Sequence, residues 1–324
     1  VPPTAYFLPT GDYRTKGAPI KPGFLQVLVK GDETIAVPRG GKSPSSGRRR
    51  GLAEWVASPK HPLTARVMVN RLWYFHFGRG IVATPSNFGR TGLPPSHPKL
   101  LDWLAIEFVR RDWSIKSMHR LLMNSEAYQM ASTFGHSGNR ERDPTEKYFW
   151  RFTERRLEAE AIRDLVLDTS GKLNRQIGGK PFYPPIPEAV RRAAIGLDPY
   201  HKWEIHSQGP TVWRRSIYSY WKRGLRYPMF EVFDQPNPNV TCESRNRTTV
   251  PTQALTLLNN EFVLEQAKHF ANRVAAEAKG ATERVQYAYL IALSRQPDHS
   301  EFEKNKSFLV QQTQHHHALG NADP

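Results

Sequence analysis

The sequence predicts a mainly α-helical protein, an irregular helical bundle with a small β-containing or loop-rich insert. Apolar residues recur at helical spacing up to residue 172 and again after residue 251. Between them, residues 176–212 are rich in Pro and Gly and show no clear period. We therefore expect the helices of 47–172 and 251–312 to pack around one core, with the insert, at about 176–250, lying on it.

The first 46 residues predict an extended lead-in that ends in a Gly- and Ser-rich linker. Residues 47–312 then form one predicted domain, and residues 313–324 a predicted tail that includes three consecutive histidines. Because the chain begins at Val1, we expect a fragment or a processed product. Residues 36–43 fit a relaxed phosphate-loop pattern, but Pro44 stands where the helix of such a site begins, which disfavours a nucleotide site.

Residues typical of helix ends divide the first half of the chain. Prolines start two helices, a glycine ends one and a serine caps another, at Pro62, Gly78, Pro98 and Ser114. A further helix is predicted from Arg155 to Ser170, with Gly171 as its cap. Within the insert, residues 214–221 have the aromatic and β-branched content of a strand.

Charge is the first indication of function. The chain has 46 basic and 30 acidic residues, a net charge of +16, and residues 1–100 hold fifteen of the basic and only four of the acidic ones. Such an excess favours an anionic partner, whether nucleic acid, anionic polysaccharide or a membrane surface. The alternative is a soluble surface over which arginines are simply spread, since no run of five like charges occurs.

Several classes of protein are excluded or disfavoured. A single cysteine, Cys242, excludes an internal disulfide, a four-cysteine zinc site and a C-x-x-C-H haem attachment. No apolar run reaches the roughly 18 residues of a membrane-spanning helix. The serine-hydrolase elbow, the H-E-x-x-H zinc helix and the dinucleotide-binding glycine turn are missing, although an enzyme built from scattered residues stays open.

One group of polar residues is a candidate catalytic cluster. Carboxylates, an imidazole and guanidinium groups together can bind substrate and transfer protons, and the candidates are Asn70, Arg71, His76, Glu158, Glu160, Arg163, Asp164 and Asp234. On the predicted helix, Arg156 and Glu160 are four residues apart and can pair. The alternative is that these residues form structural ion pairs and that His76 is a hydrogen-bonded histidine among aromatic rings.

A second group mixes cations with aromatic rings, as surfaces that bind polyanions or carbohydrate do. Its members, which are candidates for binding a polyanion, are Arg48, Arg49, Arg50, Trp213, Arg214, Arg215, Trp221, Lys222 and Arg223. Because successive strand residues face opposite ways, the alternative is a core face at 213–223 with arginines that stabilise the fold.

Several long segments of the sequence resemble a planctomycete-specific domain of unknown function. That domain is found C-terminal to haem-c-like modules in large, secreted, cytochrome-like proteins. The segments include His-Pro-Leu-Thr-Ala-Arg-Val-Met-Val-Asn-Arg-Leu-Trp at 61–73, Phe-Gly-Arg-Gly-Ile-Val at 77–82, His-Pro-Lys-Leu-Leu-Asp-Trp-Leu-Ala at 97–105, Arg-Arg-Leu-Glu-Ala-Glu-Ala-Ile-Arg-Asp at 155–164, Arg-Arg-Ser-Ile-Tyr at 214–218 and Pro-Thr-Gln-Ala-Leu at 251–255. The matching blocks run in order from residue 52 to residue 259.

The resemblance implies an extracytoplasmic or secreted protein whose haem c, if any, sits in a neighbouring domain of the parent protein. For this chain we expect no cofactor or metal of its own. The favoured function is a non-catalytic accessory module that docks other domains of the parent protein or an anionic polysaccharide. The alternatives are a hydrolase-like or redox-linked enzyme that uses the polar cluster and, less favoured because no nucleic-acid-binding signature is present, non-specific nucleic-acid binding.

Overall fold

The computed structural model describes residues 4–29, 46–133, 135–195, 203–204 and 208–318. Those residues contain thirteen α-helices and one two-stranded antiparallel sheet, so the predicted mainly helical class is confirmed. The candidate phosphate loop at 36–43 lies outside the described residues. The sheet pairs β1 (Ala5–Tyr6) with β2 (Pro19–Ile20), within the segment predicted as an extended lead-in.

The chain divides into two compact units, Val1–Glu154 and Arg155–Pro324. Each unit has its own cluster of buried apolar side chains. The sequence analysis expects both helical sets to share one core, and that expectation stays a prediction. The predicted domain boundaries at 47 and 312 stay a prediction.

The first unit is built on six helices: α1 (Arg48–Val56), α2 (Thr64–Phe77), α3 (Pro98–Arg110), α4 (Ile115–Met123), α5 (Glu126–Gln129) and α6 (Ser137–Arg142). Helices α2 and α3 form its core through side chains such as Val69, Trp73, Leu104 and Phe108. As predicted, Pro98 begins α3, the Ser114 side chain caps α4, and Gly78 ends α2 in the left-handed conformation.

Helix α2 begins two residues later than Pro62 suggests. The imidazole of His61 accepts hydrogen bonds at Nδ1 from the backbone N–H groups of Leu63 and Thr64, at 3.2 and 3.1 Å. Amide groups in the first turn of a helix have no hydrogen-bond acceptor within the helix, so His61 acts as a capping side chain.

The second unit contains α7 (Ala159–Thr169), α8 (Glu188–Ile195), α9 (Pro228–Val232), α10 (Pro251–Asn259), α11 (Glu261–Glu277), α12 (Gly280–Leu293) and α13 (His299–Ala318). Its buried cluster joins α7, α9 and α11 through residues such as Leu167, Phe230 and Phe262. Gly171 follows α7 with a positive φ of 74°, as its predicted cap requires.

Two predicted elements of the second unit are wrong in detail. Helix α7 starts at Ala159 rather than Arg155, since the backbone of Glu158 before it is extended, with φ of −72° and ψ of 155°. The guanidinium of Arg156 in this non-helical segment donates to the carbonyl oxygen of Thr248, 92 residues later. The predicted strand at 214–221 is a 3₁₀ turn, Ser216–Tyr218, flanked by isolated bridges from Arg214 to Asn174 and from Ser219 to Phe182. The insert is thus loop-rich rather than a sheet.

Asp298 and Glu301 close the start of α13 reciprocally, each accepting the other's backbone N–H at 2.8 and 3.0 Å. The helix continues to Ala318, so residues 315–317, expected in a tail, form its last turn. Among the described helices, none combines the length and apolar character needed to cross a bilayer.

Candidate functional site

The eight residues of the candidate polar cluster do not belong to one compact unit. Asn70, Arg71 and His76 lie in the first unit, whereas the five others lie in the second, Glu158, Glu160, Arg163, Asp164 and Asp234. Each unit therefore has to be judged by the contacts within it.

Asn70 is completely buried and serves the backbone. Its Nδ2 donates to the carbonyl oxygen of Val82 at 3.0 Å, and its Oδ1 accepts the N–H of the same residue at 2.8 Å. Both ends of the amide are therefore occupied, and the side chain anchors the loop that follows α2. Asn70 is a structural residue in this unit.

His76 and Arg71 differ in their surroundings. His76 Nε2 lies 2.8 Å from Nδ1 of His119, and its ring contacts the edge of Tyr128. The pair is partly buried among aromatic rings, which is the setting that the alternative interpretation expected. Arg71, by contrast, is exposed on α2. The described part of the first unit brings no carboxylate of the candidate cluster to this imidazole pair.

Arg163, on α7, is buried and binds the loop that was predicted as a strand. Its Nη2 donates to the carbonyl oxygen of Val212 at 2.5 Å, and its Nη1 to the carbonyl oxygen of Arg214 and to Ser216 Oγ, both at 3.1 Å. Burial lowers the pKa of Arg163, while the Tyr227 hydroxyl and Asp164 oppose that shift. The carbonyl groups that a strand would offer its neighbour are bound by a side chain instead.

Asp164 and Arg214 complete this anchorage. The backbone N–H of Ser216 donates to Asp164 Oδ1 at 2.7 Å. Arg214, also buried, donates to the carbonyl oxygens of Lys180 and Gly178, and its guanidinium lies over the ring of Tyr218. Arg163 and Asp164 thus hold the loop of residues 212–216, and Arg214, which is part of that loop, binds the segment of residues 178–180. These contacts fit the structural alternative for each of the three residues.

Glu158 and Glu160 face two arginines that sequence analysis missed. Arg245 Nη1 lies 2.6 Å from Glu160 and 3.3 Å from Glu158, and Arg247 lies 4.0 Å from Glu158. Burial lowers the pKa of Arg245, but the two carboxylates outweigh it, so its pKa is raised. The four charges neutralise one another, and nothing in the sequence spacing indicated these partners, which lie more than eighty residues away.

Asp234 lies in a left-handed backbone conformation, with φ of 62°, and binds Arg156 and Thr248. Arg156 Nη2 donates to its Oδ2 at 2.5 Å, and the Thr248 N–H donates to the same oxygen at 2.7 Å. Burial alone would raise the pKa of Asp234, but the Thr248 and Arg156 hydrogen bonds outweigh it and hold the pKa below its usual range. Arg156 pairs with Asp234. The sequence spacing had instead suggested Glu160 as its partner.

The candidate carboxylates are thus paired with arginines or backbone amides, which favours a structural role over proton transfer. Within the described ranges, no group of three His, Cys, Asp or Glu side chains is placed to hold a metal ion. No described site in this chain therefore has the composition of a metal centre.

The candidate polyanion-binding residues separate into buried and exposed members. Trp213 is half-buried, with its Nε1 donating to Gln208 and its ring edge-on to His269. Arg215 is exposed and 3.8 Å from Asp164. In the first unit, Arg48, Arg49 and Arg50 form the first turn of α1, and Arg50 pairs with Glu54.

Three of the candidates, Trp221, Lys222 and Arg223, follow one another in the chain. Together with Tyr220 and Arg226, which were not candidates, they form the surface called here the aromatic–basic patch. Trp221 is 47% exposed and Tyr220 40%. Tyr220 stacks on Tyr183 at 4.4 Å between ring centroids, and burial together with a hydrogen bond to Tyr220 raises the pKa of Tyr183 to about 12. The patch therefore presents rings held in place by a neighbour.

A shallow depression opens in the aromatic–basic patch, and Gln235 lines it. Its volume of about 10 Å³ matches a single water-sized group. Gln235 is 7% exposed, and its Nε2 has no hydrogen-bond partner among the described residues. No sequence pattern indicates Gln235 or Arg226, because only the fold brings residue 235 beside residues 220–226.

The fold and these contacts define a mainly helical domain whose polar clusters stabilise loops. A family comparison matches residues 48–309 to PSD1, described as a protein of unknown function (DUF1553). The chain therefore belongs to this family, and the resemblance to a domain of unknown function is confirmed at that level. Searches of curated proteins and of solved structures give no significant match.

Proposed function

We propose that this chain is a non-catalytic binding module that takes up anionic polysaccharide on its aromatic–basic patch. In this proposal it serves as an accessory domain of a large, secreted, cytochrome-like parent protein from planctomycetes, where it also contacts neighbouring domains. The parent context rests on the sequence resemblance, and the binding role rests on the patch.

The observation that carries the proposal is the exposure of Trp221 and Tyr220 beside Lys222 and Arg223. Aromatic faces bind sugar rings, and neighbouring cations attract sulfate or carboxylate groups. An exposed Trp beside an exposed Tyr offers a sugar polymer two adjacent rings on which to stack.

Gln235 and Arg226 support the same assignment. An amide donor that is buried without a partner carries an energetic penalty that an acceptor oxygen would relieve. Arg226 is paired with Glu231, which is half-exposed, so the positive charge offered to a ligand comes mainly from Lys222 and Arg223. A ligand that stacks on the rings can place one oxygen in the depression.

The enzyme alternative finds less support. Asn70, Arg163, Asp164 and Asp234 each have partners that hold backbone in place. Nucleic-acid binding would use the same cations, so double-stranded DNA belongs among the ligands tested.

The test is affinity for dextran sulfate, alginate, neutral dextran and DNA, measured on the purified chain over a range of salt concentrations. Replacing the exposed ring by Trp221→Ala is expected to weaken binding to the sulfated or uronate polymer about tenfold, because stacking contributes roughly 1–3 kcal/mol per ring. Lys222→Ala/Arg223→Ala is expected to weaken binding and flatten its salt dependence.

Matched controls lie elsewhere in the chain. Trp103 is 48% exposed, so Trp103→Ala removes an equally exposed ring. Lys304→Ala/Lys306→Ala, on α13, removes the same charge as the patch double variant. Equal losses in patch and control variants, or DNA bound as tightly as every polysaccharide, would refute the proposal. Haem absorption of the purified parent protein tests the cytochrome context.

A further inference from the structure

A hollow of about 570 Å³ opens on the first unit, independent of the aromatic–basic patch. Its volume falls within the range of about 300–1,000 Å³ typical of small-molecule sites. It lies between the start of α3 and the loop of residues 79–97. Most of its lining is apolar, from Val82, Phe88, Leu93, Leu101 and three prolines.

The wall of the hollow is a loop that is held at both ends. Asn70 binds Val82 near the start of the loop, and Ser96 N–H donates to the carbonyl oxygen of Ile81 at 2.9 Å near its end. Between these points, Thr84 Oγ1 donates to the Asn87 carbonyl oxygen at 2.8 Å and accepts the Leu93 N–H at 3.1 Å. A loop ordered in this way loses little conformational entropy when a ligand binds.

Two arginines and one aspartate give the hollow its polarity. Arg66 donates through Nε to Asp102 Oδ1 at 2.7 Å and through Nη1 to the Pro62 carbonyl oxygen, so this carboxylate is already neutralised. Arg90 is exposed at the rim and has no hydrogen-bond or ion-pair partner among the described residues. The unbalanced charge of the lining is therefore positive and sits on Arg90.

We propose that this hollow binds a small apolar carboxylate, an aromatic or branched aliphatic acid. Its hydrocarbon body would occupy the surface formed by Phe88, Leu93 and the neighbouring prolines. Its carboxylate would pair with Arg90, whose planar guanidinium suits a two-oxygen acceptor. A neutral molecule of the same shape gains the apolar contact without the ion pair, and acetate gains the ion pair without the contact.

The test uses 2-naphthoate as probe, with 2-naphthalenemethanol and acetate as comparisons, and measures binding to the full chain by ligand-detected NMR titration. Naphthoate is expected to bind with a Kd in about the millimolar range, as its size allows. The alcohol and acetate are expected to bind at least about fivefold more weakly. Equal affinity for naphthoate and the alcohol, or no binding of naphthoate, overturns the proposal.

Variants at exposed positions locate the site without threatening the fold. Arg90→Gln is expected to weaken naphthoate binding about fivefold or more while leaving the alcohol unchanged, and Arg142→Gln, an exposed arginine on α6, is its control. Leu93 and Ile106 are 55% and 56% exposed, and only Leu93 lines the hollow. Leu93→Glu is expected to abolish naphthoate binding and Ile106→Glu to leave it intact; the reverse, or no difference, places the acid elsewhere. Polysaccharide binding by the second unit is measured separately, so either proposal can fail alone.

Discussion

Asn70 and Val82 are joined by two hydrogen bonds, in which the side-chain amide of one residue closes on the backbone N–H and C=O of the other. The pair is buried and spans twelve residues of the chain. It ties the middle of α2 to the loop that forms the wall of the hollow. A residue that sequence analysis nominates for catalysis is thus an anchor of local structure.

Removing this anchor should destabilise the protein. Asn70→Ala leaves the N–H and C=O of Val82 buried without partners, so we expect a loss of about 2–4 kcal/mol in the free energy of unfolding. Urea denaturation followed by circular dichroism measures it. Asn124→Ala, at an exposed position in the same unit, is expected to change stability by less than about 0.5 kcal/mol. Similar effects of the two variants would contradict the anchoring role.

Replacement by alanine should destabilise the protein at one glycine of the same loop and have little effect at another. A Cβ at Gly92 would lie 2.1 Å from the Asn87 carbonyl oxygen, whereas one at Gly89 would meet only Asn87 Oδ1, at 3.4 Å. Gly92→Ala is therefore expected to cost about 1–3 kcal/mol, and Gly89→Ala less than about 0.5 kcal/mol. Thermal unfolding of the two variants decides the point, and a Gly92→Ala protein as stable as the unmodified chain would show that the loop yields.

Arg163 should be among the least replaceable side chains of the second unit. Arg163→Met keeps much of the apolar bulk but leaves the carbonyl oxygens of Val212 and Arg214 without a hydrogen-bond donor. We therefore expect a loss of about 3 kcal/mol or more in the free energy of unfolding. Arg175→Met breaks only an exposed pair with Asp168 and should cost less than about 1 kcal/mol. Equilibrium unfolding in urea compares the two, and equal losses would mean that water replaces the guanidinium at the loop.

Acid should weaken the second unit through Asp234. Because the pKa of Asp234 is lowered in the folded protein, its contribution is fully present above the pKa of the unfolded chain and is lost as pH falls through the folded value. Asp234→Asn suits the left-handed backbone there but removes the charge, so we expect lower stability at pH 7 and a flatter decline as the pH falls below about 4.

Urea midpoints collected across that pH range test this expectation. Asp168→Asn, where the carboxylate is half-exposed, serves as the control and should leave the slope of stability against pH nearly unchanged. If Asp234→Asn kept the full acid dependence of the unmodified protein, another carboxylate would be responsible for it.

Local signals were reliable wherever the cause lies within a few residues. Gly78 and Gly171 end helices because the left-handed conformation after a last turn is cheap only for glycine. Ser114 begins a helix because its side chain accepts the backbone N–H of Ser117, three residues later. These contacts need no knowledge of the remaining chain.

The roles of the polar residues could not be predicted in the same way. Arg156 reaches Thr248 across 92 residues and Arg163 reaches Arg214 across 51, so no periodicity records either contact. The segment expected as a strand at 214–221 likewise depends on distant partners, since Arg163 binds the carbonyl oxygen of Arg214 and Phe182 donates its backbone N–H to the carbonyl oxygen of Tyr218. Which arginines face solvent and which hold backbone depends on what packs above them.

The amino-acid order by itself determined the helical class, most helix ends, the positive charge and membership of the family, because each of these is written in short-range spacing and composition. Only the tertiary structure decided that the polar cluster is divided between two units, that Arg214 is buried while Trp221 is exposed, and that Gln235 lies beside the aromatic–basic patch. The reason is physical: burial and pairing are properties of neighbours in space, and a charged side chain has the same letter whether it holds a loop or meets a ligand.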